Sequence, residues 1–427
     1  MKTKNKLADI LMILMVTVFV TSCSNDDNNI SDPVTNPDPT EENKSPEIFN
    51  LIAVADGEEN VDVKPTFSWE TANDPDGDVV MYDVYIDIKN PPETLYGENL
   101  STVNFETTER LEVSNDYYWR VVAKDSKDGR TESAIHSFKT RDLTIPNEPI
   151  TPNTVFNGRQ EASAIVFSDK LWIIGGSDGQ RFNDVWYSED GENWTEATSS
   201  PQFSRRTGHT SVVFDNKMRV IGGYDGAYNN EVWSSIDGEN WTQKTANAQF
   251  SKRSSHTSVV FDGKMWVIGG QGKGKRFNDV WYSEDGENWT EVTTNAQFSK
   301  RNGHTSVVFD NKIWVIGGYD GNYNNDVWVS EDGVGWNQVI TEPIFDKRAG
   351  HTSVVFDNKI WLFGGDTPDN FSNDIWYSAN GNMWEKVTDN TPFSERFGHT
   401  STVFKEKVWL IGGYDENIYL NDVWVFD

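Results

Sequence analysis

Beyond residue 147 the chain alternates short apolar runs with polar, turn-forming segments on a fixed beat. The fourth copy shows the pattern. Phe298-Ser299-Lys300-Arg301 leads into His304-Thr305-Ser306-Val307-Val308-Phe309, whose β-branched residues predict a strand. Asp310-Asn311 predicts a two-residue hairpin turn with positive φ. Ile313-Trp314-Val315-Ile316 is wholly apolar, as a short strand buried on both faces requires. Gly317-Gly318 ends it, and a variable loop follows. Asn325-Asp326-Val327-Trp328-Val329 predicts a third strand, Asp332-Gly333 a turn, and Trp336 the start of a fourth strand.

Glycine pairs recur at Gly175-Gly176, Gly222-Gly223, Gly269-Gly270, Gly317-Gly318, Gly364-Gly365 and Gly412-Gly413, with gaps of 47, 47, 48, 47 and 48 residues. A period near 47 fits one supersecondary unit of four short strands. Six such units arranged radially make a closed, all-β, six-bladed propeller. The sixth copy reaches Asp427 just after its third strand, which would leave an edge unpaired. Phe156-Asn157-Gly158-Arg159 aligns with Phe298-Ser299-Lys300-Arg301, so Asn147 to Thr154 falls in the fourth-strand slot. The expectation is that this N-terminal segment pairs with Asn421–Phe426 as a strand and closes the ring. Pro149 and Pro152 suit an outer edge, where a missing donor is tolerated.

Strand, glycine pair, loop, strand and tryptophan together resemble the Kelch repeat, in the propeller superfamily that includes galactose oxidase. The resemblance covers roughly residues 147 to 427. Tyr224, Tyr319 and Tyr414 match the tyrosine that Kelch units carry after the glycine pair, whereas Ser177, Gln271 and Asp366 depart from it. The third-strand tryptophan recurs in every copy (Trp186, Trp233, Trp281, Trp328, Trp376 and Trp424), as expected of aromatics that fill the space between blades.

Upstream the composition changes twice. Residues 1–22 carry three lysines and an apolar run from Ile10 to Val16, which reads as a secretory signal peptide. Val20-Thr21-Ser22-Cys23 resembles a bacterial lipobox, and the resemblance implies that Cys23, the one cysteine, becomes a lipidated N-terminus. Residues 23–45 are rich in Asn, Asp and Pro and read as a disordered acidic tether. An acidic run after such a cysteine is similar to a surface-export signal. The expected location is therefore the outer membrane, lipid-anchored and exposed at the cell surface. Residues 46–141 alternate in short strands, at Phe67-Ser68-Trp69, Met81–Ile86, Tyr117–Ala123 and Ser137-Phe138-Lys139. They resemble a fibronectin type III or immunoglobulin-like sandwich, leaving residues 142–427 for the propeller. Asp74-Pro75-Asp76-Gly77-Asp78 reads as a turn rather than a calcium loop, because EF-hand spacing is missing.

Charge limits the partners. The formal net charge is −30, and removing residues 1–22, with three lysines and one aspartate, leaves −32. Such a surface repels nucleic acid and anionic head groups. No nucleic-acid partner is expected, membrane contact is expected only through the lipid anchor, and the chain is read as a monomer. Neither a cofactor nor a metal is implied. The histidines that follow strand-leading arginines (His209, His256, His304, His351, His399) sit on separate radial copies, too far apart for zinc-like coordination.

Antiparallel blades put the post-glycine loops and the segments entering strand one on the same face. That face varies between copies, while the opposite turns are uniform, and variation concentrated on one face marks a binding surface. Its candidates are Tyr224, Tyr319 and Tyr414, with the basic island Lys273, Lys275 and Arg276, whose glycines suggest a mobile loop. Arg159, Arg206, Arg253, Arg301, Arg348 and Arg396 precede strand one and are expected to ring the channel mouth. Two readings stay open for them: a collar that grips carboxylates, or ion pairs with loop aspartates such as Asp225, Asp320 and Asp415. The expected function is a non-catalytic binding module for protein or glycan ligands. The alternative is a carbohydrate-active enzyme resembling a Kelch-type sugar-acid mutarotase. Glu161, found only in the first copy, would be its acid–base group. Copper-radical oxidation is set aside, since it needs a Tyr–Cys crosslink and no cysteine follows Cys23.

Overall fold

The computed structural model describes residues 42–339, 345–388 and 391–427; the signal peptide, Cys23 and most of the tether lie outside the described residues. Six radial sheets follow one another, the first built from Ser163–Phe167, Lys170–Ser177, Arg181–Ser188 and Trp194–Thr198 in sequence order. Four more repeat this order, and the sixth contributes Thr400–Phe404, Lys407–Tyr414 and Tyr419–Phe426. The innermost strands of neighbouring blades pack against one another all the way around, including the first blade against the sixth. The predicted first turns form as expected, with Asp310 and Asn311 at φ 48° and 53°.

Closure is of the kind expected but looser than a strand. Thr151 bridges Val423, the Thr154 N–H donates to the Asn421 carbonyl at 3.2 Å, and the Thr144 N–H donates to the Asp427 carbonyl at 2.7 Å. Pro149 and Pro152 flank the bridge and cannot donate, so the ladder does not propagate. Asn421 compensates by donating to the Thr154 and Phe156 carbonyls. The equivalent asparagines do the same inside other blades, as Asn278 does to Ala296 and Phe298. Phe156 therefore occupies the place that Phe298 fills in its own blade.

The N-terminal domain is a sandwich. One sheet orders Leu51–Ala53, Thr66–Trp69 and Asn104–Glu106. The other orders Glu58–Val61, His136–Thr140, Asp116–Lys124, Met81–Asp87 and Leu95–Leu100. Trp69 and Trp119 are fully buried between them, with the Phe67 ring tilted against Trp119 at 4.7 Å. Short polar strands such as Glu58–Val61 and Arg130–Glu132 lack the apolar alternation by which the others were read.

The sandwich is docked on blades five and six. Val63, Val113 and Leu143 share one apolar cluster with Phe356, Trp361, Phe363 and Phe426. Arg110 pairs with Asp357, and Lys359 donates to the Val113 carbonyl at 2.8 Å. This contact uses the first-turn side of the propeller and leaves the variable face open.

Candidate functional site

The six strand-leading arginines are structural. Each is at most 2% exposed. Each Nη1 donates to the carbonyl of the first glycine of its own blade's pair at 2.8–2.9 Å. Each also pairs with the acidic residue of the third strand: Arg159 with Asp184, Arg206 with Glu231, Arg253 with Asp279, Arg301 with Asp326, Arg348 with Asp374 and Arg396 with Asp422. The same carboxylate accepts the indole N–H two residues on, at 2.7–3.0 Å. The repeated Asn-Asp-Val-Trp thus ties the following loop, clamps the arginine, fills the core and closes on itself. The expected carboxylate-gripping collar is corrected: these guanidinium groups have no free face. Their partners are also not the loop aspartates; Asp225 instead accepts from Ser204 at 2.8 Å.

The histidines form a second buried layer. Each Nε2 shares a hydrogen bond with a hydroxyl of the preceding blade, Ser163 for His209 at 3.0 Å and Thr305 for His351 at 3.1 Å. Burial pushes their pKa down, to about 3 for His209, His304 and His399, so they remain neutral. This layer also explains the glycine pairs. A Cβ on Gly222 would lie 2.9 Å from His256 Cε1, and one on Gly223 would lie 2.8 Å from His209 Cβ. In the first copy the small Ala162 takes the histidine position.

Above the histidines the channel narrows to a ring of backbone amides. Glu161, Gly208, Ser255, Gly303, Gly350 and Gly398 occupy equivalent positions, all with positive φ. Each N–H donates to the carbonyl of the ring residue before it, from Gly208 to Glu161 at 3.2 Å round to Glu161 to Gly398 at 2.6 Å. Four members are glycine, as the left-handed backbone favours. Glu161 alone brings a carboxyl. Its pKa is raised by loss of surrounding water, opposed only by the Thr207 hydroxyl that donates to Oε2 at 2.9 Å.

A cup rests on this ring. It encloses about 180 Å³ and is lined by Glu161, Asn302, Tyr319, Tyr323, Asp366 and Phe397, with Ala349 beside the ring residues Ser255, Gly303 and Gly350. The cup exists because of Ala349. The residue after each arginine is Gln160, Thr207, Ser254, Asn302, Ala349 or Phe397, and alanine is the smallest of them. Its cross-strand partner Asp366 is thereby uncovered. Asp366 accepts the Tyr323 hydroxyl, and its pKa is raised by burial. The Tyr323 hydroxyl is in turn pushed up to about 12, chiefly by burial.

The other candidates scatter. Each of the three tyrosines packs at a tilt on the tyrosine across its hairpin, Tyr224 on Tyr228, Tyr319 on Tyr323 and Tyr414 on Tyr419, and of the three Tyr319 lines the cup. Lys273 and Lys275 belong to an ordered hairpin whose ladder reaches Gly272 and Lys275, rather than a mobile loop. Arg276 lies 4.6 Å over the Tyr319 ring and donates to Asn302 Oδ1. Of the candidates, the structure sets Glu161 and Tyr319 in the cup, whereas Ala349, Tyr323, Asp366 and Phe397 escaped the sequence reading. Their signal was the unmatched variability of the position after each arginine.

Among the described residues, the one group spaced for a metal ion is Asp74, Asp76 and Asp78. Asp74 Oδ1 caps the Asp76 and Asp78 N–H groups as in a plain turn, and Lys44 and Lys127 face Asp76 and Asp78. A larger, open depression of about 650 Å³ on the sandwich includes Asp74 and Asp78 in its lining, with Thr71, Asn73, Thr102 and Asn104.

No curated protein matches this chain. Among solved structures it is similar to one described as "Structure of YjhT", with a TM-score of 0.54 and 17% identity, over 64% of this chain and 96% of that one. That likeness speaks to fold. The KLHDC2/KLHL20/DRC7 Kelch-repeats domain matches residues 115–282, 188–331 and 303–427, overlapping as a repeat in successive registers does. With arginine clamps, glycine pairs and indoles recurring blade by blade across most of that span, the chain belongs to the Kelch-repeat family.

Proposed function

We propose that the protein is a binding module whose cup over Ala349 recognises a protein or glycan ligand, carried at the cell surface by a lipid on Cys23. The observation that carries this reading is the location of the cup. It is walled by the positions that differ from blade to blade, and it stands on a backbone ring that does not. Aromatic walls with a few convergent polar groups are the usual make-up of a ligand site. The arginine clamps and the histidine layer are consumed by the fold, so recognition falls to Tyr319, Tyr323, Asn302, Asp366 and Phe397.

A second reading is favoured by Glu161. A carboxyl whose pKa is raised by burial, set beside a cavity, is suited to general acid–base catalysis on a sugar ring. In that reading the propeller is a carbohydrate-active enzyme of the mutarotase kind.

Glycan and protein arrays compared between the parent chain and Ala349→Leu test the first reading. Loss of capture with unchanged melting is expected; full capture would reject the cup. Anomeric exchange of free sugars and sugar acids, followed by NMR, tests the second. Exchange abolished by Glu161→Gln would replace the non-catalytic reading with the enzyme.

A further inference from the structure

The variable face repeats every two blades. In blades one and three the second arm of the post-glycine hairpin places an arginine over the next blade's tyrosine. Arg181 lies 4.7 Å over Tyr224, and Arg276 lies 4.6 Å over Tyr319. In blade five the same position is Phe371, set edge-on to Tyr414 at 6.2 Å. Its cross-strand neighbour is Asp366, where blades one and three have Ser177 and Gln271. The fifth blade has thus lost a cation and gained a carboxyl.

That carboxyl has no counter-ion. Among the described residues Asp366 forms no ion pair, and its hydrogen bond comes from the neutral Tyr323 hydroxyl. Glu161, at the same cavity, is met among the described residues by the Thr207 hydroxyl alone. Glu416 adds further negative potential at Asp366. The contrast lies one layer below, where all six third-strand carboxylates are matched by arginine. Arg276, the nearby cation, is already engaged with Tyr319 and Asn302.

We propose that the cup receives the guanidinium group of an arginine side chain presented by a protein partner. This rests on the cup being the recognition site and reverses the ligand charge that an exposed arginine collar would imply. Tyr319, Tyr323 and Phe397 line the cup with aromatic rings, which suit a flat, weakly hydrated cation. Asp366 and Glu161 offer acceptors to its several N–H donors. The protein already uses this pairing on itself, since Arg276 combines a tyrosine face with a side-chain oxygen. The net charge of −30 favours a cationic partner in approach as well.

Calorimetry with the full chain tests this, using the peptide acetyl-Gly-Arg-Gly-amide and its citrulline counterpart, which has the same shape without charge. The arginine peptide is expected to bind at least about tenfold more tightly, the margin typical of charge-assisted hydrogen bonds. Asp366→Asn should remove most of that margin, and Ala349→Leu should abolish binding. Asp366→Asn keeps volume and Tyr323 contact, so it reports even if Ala349→Leu fails to fold. Equal affinity for the citrulline peptide, or indifference to Asp366→Asn, overturns the inference. So does glucosamine binding as tightly and displacing the peptide, which would assign the cup to amino sugars. If arginine fails but an array ligand is lost in Ala349→Leu, the guanidinium is wrong and the cup stands. If array capture survives Ala349→Leu, the cup itself is rejected.

Discussion

At the scale of single residues, the repeat is most informative where one copy breaks it. Trp172, Trp266, Trp314, Trp361 and Trp409 fill one position of the second strand, and the second copy has Arg219 there. Each of those indoles donates to a phenylalanine carbonyl five residues earlier, as Trp266 does to Phe261 at 2.9 Å. Four of them also cover a glycine of the next blade's hairpin; a Cβ on Gly238 would lie 2.1 Å from the Trp172 ring. Arg219 is 2% exposed, yet its Nε and Nη1 have no partner. Unsatisfied buried donors cost about 1–3 kcal/mol. Arg219→Trp should therefore stabilise the propeller by about that amount, restoring the indole bond to Phe214. Urea unfolding measures this, and an unchanged or lowered midpoint would mean that the guanidinium is satisfied there in solution.

At the scale of elements, strands and turns were legible because each is local and copied. The glycine pairs were legible as punctuation, although their cause, a neighbouring histidine ring, is a contact between blades. Clamp partners were not legible. Arg301 meets Asp326, 25 residues on, across a whole loop, and the nearer Asp320 was an equally reasonable partner by charge alone. The cup was less legible still, because it arises from missing volume at Ala349 and from Tyr323 reaching the next blade. The clamp makes its own prediction. Removing one side of a buried pair costs about 3–5 kcal/mol. Arg301→Ala should lose that much stability by uncovering Asp326 and the Gly317 carbonyl. Ligand capture per folded molecule should be unchanged, and a selective loss of capture at full stability would return the arginines to the binding surface.

At the scale of the whole molecule, two features set when the ring holds. The first is acid. Five histidines are buried neutral with folded pKa values below the ordinary 6.5, while the unfolded chain protonates near that value. The unfolded state therefore binds more protons below pH 6.5, and stability falls as pH drops from there toward about 3. Each histidine contributes a slope of at most about 1.4 kcal/mol per pH unit. Together they should make acid unfolding steep, and tryptophan fluorescence against pH checks it; a midpoint flat between pH 6 and 4 would contradict the buried layer.

The second feature is the sandwich, which does for blade five what a hairpin does elsewhere. Trp361 is fully buried, and Val63, Val113 and Leu143 share its apolar cluster. Arg110 and Lys359 fasten that cover to Asp357 and the Val113 carbonyl. The two domains should consequently unfold as one unit, not as independent beads. Burial of three aliphatic side chains in the cluster that holds Trp361 is worth several kcal/mol, at about 1.5–3 kcal/mol each. Val113→Asp should thus lower the melting of the propeller signal as well as that of the sandwich, and a fragment beginning at residue 144, which lacks Val63, Val113 and Leu143, should expose Trp361 to quencher. Independent melting of the two domains in the parent chain would show that the sandwich only rests against the ring.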